Sequence, residues 1–123
     1  MMTPSSAFVY VADAPASTAL YSRLFGAEPV QSSPDFAMFA FPNGTTFGVW
    51  GRSDVQPKSD VAGGAVEFAF TASGDEEVDR MHGEWQKMGL EIIQPPTVMP
   101  FGFTFTATDP DGHRLRVFAP SAM

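Results

Sequence analysis

The chain has 123 residues, no cysteine, and 14 acidic against 7 basic side chains, for a formal net charge of −7. That length holds one domain with a real core, and the acidic balance disfavours nucleic acid and anionic membrane, both of which attract basic surfaces. Without cysteine there is no disulfide framework, no thiolate nucleophile and no Cys-type zinc site.

The opening Met1-Met2-Thr3-Pro4-Ser5-Ser6 has no basic segment followed by an apolar one, and no later apolar run reaches a membrane span. A cytoplasmic address is the expectation. From Phe8 to Val11 a β-rich run leads into Ala12-Asp13-Ala14-Pro15. Asp13 suits a helix N-cap, and a Pro early in a helix loses nothing because its missing N–H has no partner there anyway. Leu20, Tyr21, Leu24 and Phe25 then recur at helical spacing and Gly26 stops the helix. Strand-like runs follow at roughly 28–33, 35–41 and 45–50, the last two joined by the tight-turn signal Pro42-Asn43-Gly44.

Residues 51–64 (GRSDVQPKSDVAGG) are polar and Gly-rich and read as a linker. After it the same order returns. Residues 65–72 (AVEFAFTA) form a strand pattern, and Ser73-Gly74-Asp75-Glu76 has capping-box spacing with acids at the positive end of the helix dipole. Val78, Met81, Trp85 and Met88 make the buried stripe, ended by Gly89. Strand runs at 91–94, 102–108 and 113–119 complete the half, with Asp109-Pro110-Asp111-Gly112 as the last turn. Gly26-Ala27-Glu28-Pro29-Val30 matches Gly89-Leu90-Glu91-Ile92-Ile93, and Pro42-Asn43-Gly44 matches Pro110-Asp111-Gly112. The expected architecture is α+β: one domain over 1–123 made of duplicated βαβββ units, 5–50 and 65–120, each too small to bury its sheet alone. Phe is in excess at 12 residues beside 7 Met, which fits either core filling or an aromatic ligand cavity.

This duplication, with Asp109-Pro110-Asp111-Gly112-His113 leading into the final strand and Tyr21-Ser22-Arg23-Leu24-Phe25-Gly26 closing the first helix, resembles the vicinal oxygen chelate superfamily. That group includes glyoxalase I, bleomycin resistance proteins, fosfomycin-modifying enzymes and extradiol dioxygenases. The resemblance spans about residues 7–119. Phe47-Gly48-Val49-Trp50, Glu76-Glu77-Val78-Asp79, Glu84-Trp85 and the Asp109–His113 motif with Arg116 beyond it look most like phenazine-antibiotic resistance proteins, which bind a planar tricyclic drug. The resemblance implies that each unit curls into a half-barrel of an open barrel, that metal ligands come from the first, fourth, fifth and eighth strands, and that the protein is a homodimer with cavities at or near the subunit contact. Carried over residue by residue, the metal positions are Ser6, Gly48, Glu67 and Arg116. Only Glu67 is a usual ligand, and metal sites normally need at least three from the protein, so no metal and no cofactor is expected.

Strand alternation assigns the faces. Ser6, Phe8 and Tyr10, Thr46, Gly48 and Trp50, Glu67, Ala69 and Thr71, and Arg114, Arg116 and Phe118 share the cavity face. Val9, Val11, Phe47, Val49, Phe68, Phe70, Leu115 and Val117 point under the helices. The candidate ligand-binding residues are Phe8, Tyr10, Trp50, Phe101, Arg114 and Phe118, with Trp50 as the main stacking surface, Arg114 facing a ligand carboxylate and Phe101 closing over the mouth. Gly48 leaves room where a metal ligand would project. Glu67 and Arg116 form a structural ion pair across the barrel, Arg116 keeping a free N–H for the ligand. Phe101 and Phe103 suit a subunit contact. Trp85 reads as core, His113 as a turn cap or surface residue, and His82 as a solvated helix residue.

Three functions compete. The favoured one is metal-independent, non-enzymatic binding of a small planar aromatic compound, a phenazine-like antibiotic or pigment, for resistance or carriage, with no catalytic residue. The second is a divalent-metal-dependent enzyme of the superfamily, a lyase, transferase or dioxygenase, which Ser6, Gly48 and Arg116 disfavour. The third makes Glu67 a lone general base, against which the neighbouring Arg116 counts.

Overall fold

The computed structural model describes residues 1–121. The chain divides into two compact units, Met1–Val61 and Ala62–Met123, and each is built from one helix and one four-stranded mixed sheet.

The first unit runs β1 (Ser6–Val11), α1 (Ala14–Phe25), β2 (Gln31–Ser33), β3 (Phe36–Ala40) and β4 (Thr46–Gly51). Its sheet order is β1-β4-β3-β2, with β1 parallel to β4 and the other pairs antiparallel. Asp13 caps α1 as expected: its Oδ1 accepts from the Ala16 N–H at 3.0 Å. Gly26 takes the left-handed conformation (φ 65°) that ends the helix. The helix buries Ala14, Ser17 and Tyr21 against the sheet, while Leu20, Leu24 and Phe25 are half-buried. Tyr21 and Phe25 meet Phe47 at ring distances of 4.8 and 5.2 Å, and Phe25 also meets Phe39 (5.2 Å) and Phe41 (5.1 Å). Much of the phenylalanine excess in this half is therefore core, where each fully buried ring contributes about 1.5–3 kcal/mol.

The second unit runs β5 (Glu67–Thr71), α2 (Asp75–Lys87), β6 (Glu91–Met99), β7 (Gly102–Thr108) and β8 (Arg114–Pro120). The order β5-β8-β7-β6 repeats that of the first sheet, β5 again parallel to β8. α2 packs through Val78 and Trp85, whose indole meets Phe70 and Phe105 at 5.7 and 5.2 Å. His82 is half-buried with its ring 5.3 Å from Phe105, not solvated, because a helix residue one step past Met81 still overlooks the sheet.

Other local expectations also change. The cap of α2 is Gly74, without a side-chain bond, and the reach-back comes from Glu77, whose Oε1 accepts from the Ser73 N–H at 3.0 Å. β6 continues to Met99, well past 94, because it is the sheet edge, where Pro95 and Pro96 need no ladder donor. Two register shifts, between Ile92 and Gln94 and between Gln94 and Thr97, absorb the irregularity. The stretch after β4 is more than a polar tether: Arg52–Asp54 forms a 3-10 turn, Val55 is buried, and a Cβ on Gly63 would press on the Asp111 carbonyl and the His113 ring. Gly102, at the β6–β7 turn, is held by its surroundings. With φ at 146°, it lies so close to the Ala119 carbonyl that a Cβ would overlap it.

His113 turns out to be buried and to lock the final turn. Its Nδ1 donates to Asp109 Oδ2 at 2.8 Å, and its backbone N–H to Asp109 Oδ1 at 2.8 Å. Among the described residues, no helix is long and apolar enough to cross a membrane.

Candidate functional site

In the first unit, alternation along β1 and β4 divides core from open face. Val9, Val11, Phe47 and Val49 are buried beneath α1, whereas Phe8 and Tyr10 are 43% and 36% exposed and Trp50 is half-buried. Four rings form a row on the open face: Phe8 to Phe36 at 6.4 Å, Phe36 to Trp50 at 6.1 Å and Trp50 to Tyr10 at 6.3 Å, the last two nearly edge-to-face. Phe36 was absent from the sequence-derived set. The signal lay in the hairpin, since pairing symmetric about Asn43 sets Phe36 directly opposite Trp50.

Gly48 does not leave the expected room. It stands opposite Phe8 in the β1–β4 register, and the Phe8 ring fills the space a Cβ would need. This explains why Gly48 is buried on an otherwise open face. Beside it, the Ser6 and Thr46 hydroxyls share a 2.6 Å hydrogen bond.

The open face of the second unit is polar. Arg116 Nε donates to Glu67 Oε2 at 2.8 Å and Nη2 donates to Oε1 at 3.4 Å. The two residues lie on adjacent strands, not across a barrel: Glu67 is in register with Arg114, so its bond to Arg116 is diagonal. The Arg116 side chain is 15% exposed and that of Glu67 is 40% exposed. A guanidinium so nearly buried requires a counter-charge and hydrogen bonds. It also donates from Nη1 to Gln94 Oε1 (3.0 Å) and Thr104 Oγ1 (3.3 Å), which leaves one N–H on Nη2. The buried Thr104 hydroxyl donates to the Val117 carbonyl at 2.8 Å, and Thr106 to Gln94 Oε1 at 3.0 Å. Every buried hydroxyl of this network thus has a partner, as burial demands.

Phe101, 41% exposed at the β6–β7 turn, sits edge-on to Phe118 at 6.0 Å, with the Arg116 guanidinium carbon 5.4 Å from its ring centre. Arg114 is exposed at the start of β8. Gln94, which organises Arg116 and Thr106, was not anticipated. The Pro95-Pro96 irregularity of β6 breaks the two-residue alternation that would have assigned its face. Phe103 is half-buried.

The superfamily's divalent metal can be tested against these side chains. Ser6 is engaged with Thr46, Gly48 has no donor and is covered by Phe8, Arg116 cannot ligate a cation, and both Glu67 oxygens accept from Arg116. Among the described residues, no three His, Asp or Glu side chains group as a metal set. The donors present do not fit the metal.

The family model of the glyoxalase/bleomycin resistance protein/dioxygenase superfamily matches residues 4–117. With the duplicated βαβββ fold, this places the chain plainly: it belongs to that superfamily. Among its relatives, the phenazine antibiotic resistance protein EhpR of Enterobacter agglomerans is 31% identical over 119 residues, covering 94% of this chain and 91% of that protein. The solution structure of protein ATC0852 from Agrobacterium tumefaciens is 45% identical with a TM-score of 0.91, covering 99% of this chain and 100% of that one. A glyoxalase-related enzyme from Fulvimarina pelagi shares the fold at 21% identity, with a TM-score of 0.86 over 97% of this chain and 88% of that one.

Proposed function

We propose that this protein binds small planar aromatic compounds of the phenazine type, without metal and without turnover, either to withhold a toxic compound or to carry it. The observation that carries this reading is the row Phe8, Phe36, Trp50 and Tyr10 on the open side of a sheet whose core needs none of these rings. Partly exposed aromatics are a poor use of apolar surface unless something flat covers them. Each stacked or edge-on pair adds about 0.5–1.5 kcal/mol beyond area. The likeness to a phenazine antibiotic resistance protein supports the same ligand class. The replacement of the superfamily's metal donors by a bonded Ser, a covered Gly and an ion-paired Arg supports binding over metal chemistry. A cytoplasmic homodimer is part of the proposal.

Phenazine-1-carboxylate, titrated against the protein while its Trp emission is followed, tests this reading. Trp50 is half-buried on the open face, whereas Trp85 is packed in the core. Binding at the aromatic row quenches Trp50, and Trp50→Ala weakens affinity at least tenfold, about 1.4 kcal/mol. Unchanged affinity in that variant removes Trp50 from the site.

A further inference from the structure

Arg114, Arg116 and Phe118 follow one another at two-residue spacing along the open face of β8. Glu67 stands directly opposite Arg114 in the register, yet its carboxylate goes to Arg116. Burial decides between the two guanidiniums. Arg116 is nearly enclosed and needs the counter-charge, whereas Arg114 is exposed and hydrates at little cost. Consequently, the Arg114 side chain has no hydrogen bond or ion pair among the described residues, and the Arg116–Glu67 pair carries no net charge.

Arg114 and Arg116 border a hollow of about 380 Å3, with Ile93, Gln94 and Thr106 completing its walls. The orientation of Gln94 is fixed by chemistry. Arg116 only donates, so the Gln94 atom it contacts is the carbonyl oxygen and the other is the amide nitrogen. That nitrogen has two hydrogens and a soft partner, the Met99 sulfur at 3.7 Å. That nitrogen is turned toward Met99, which is not part of the lining, so the hollow offers one uncompensated guanidinium and no competing carboxylate in its lining. The Phe101–Phe118 edge-on pair lies further along the same strand face.

We propose that this hollow receives the carboxylate of a planar aromatic acid, so the protein selects acidic ligands over their neutral counterparts. Arg114 supplies a two-pronged donor that matches a carboxylate. The inference rests on the binding reading above only for the ligand's class, a planar aromatic compound, and narrows that class to acids. It also gives a role to an exposed cation on a chain whose net charge is −7.

Calorimetric titration with phenazine-1-carboxylate and with phenazine-1-carboxamide tests it. The wild type favours the acid about tenfold, Arg114→Ala brings the acid-to-amide ratio to about one, and Arg114→Lys, which keeps charge but loses the fork, restores part of the preference. The unfolding midpoint serves as a control, because the Arg114 side chain has no bond among the described residues. Equal wild-type affinities for acid and amide overturn the inference and leave the binding reading standing, as does an unaltered preference in Arg114→Ala. No binding of either compound overturns both.

Discussion

The two βαβββ units share strand order and the parallel and antiparallel pairing of their strands, and they differ in what they set at matching positions. In the first, a large residue on the leading strand stands opposite a small one on the last: Phe8 opposite Gly48. In the second the sizes are exchanged, with Ala69 opposite Arg116. One open face becomes a row of rings, the other a bonded arginine network lined by Gln94, Thr104 and Thr106. The backbone repeat thus dictates where a side chain points, and the residue exchange decides what each face presents. Both exchanges fall on Gly48 and Arg116, two of the positions where the superfamily's metal ligands are expected, and they remove the donors in opposite ways, one by covering and one by charge.

The largest effect is expected where the second unit depends on its charges. Glu67→Ala strands the guanidinium of Arg116 with only Gln94 and Thr104, at a cost of about 2 kcal/mol in urea unfolding. The Glu67→Ala/Arg116→Ala double variant loses less than the sum of its singles, with a coupling of about 1 kcal/mol. Strict additivity would mean that the pair contributes nothing and that the contrast between the units is one of appearance. A smaller effect is expected where the first unit depends on shape. Gly48→Ala forces the Phe8 ring aside and costs about 1 kcal/mol, limited because Phe8 is partly exposed and can swing out. The loss disappears in a Phe8→Ala background; a loss that persists there would place the strain in the backbone.

The duplication could be read from the chain because it rests on local chemistry: an Asp cap, two Gly stops, and hairpin turns at Asn43 and Asp111. Face assignment followed from period-two alternation, which regular strands obey and which matches the burial along β1 and β8, and along β4 except at the covered Gly48. What escaped depends on neighbours in space. Phe36 joins the aromatic row through a cross-strand partner, and Gln94 reaches Arg116 from an edge strand made irregular by two prolines. Gly48 looked like vacant space because nothing local announces that Phe8 lies over it. His82 looked solvated because only the packed helix reveals Phe105 beneath it.

The central claim, that this member of the superfamily binds a flat aromatic ligand in place of a metal, is tested most directly by calorimetry on chelator-treated protein. Zinc, manganese, nickel and ferrous iron would be titrated first, then phenazine-1-carboxylate. The account predicts no tight metal binding and one phenazine bound per chain in the continued presence of chelator. One tight metal site per chain, with the phenazine ignored, would contradict it.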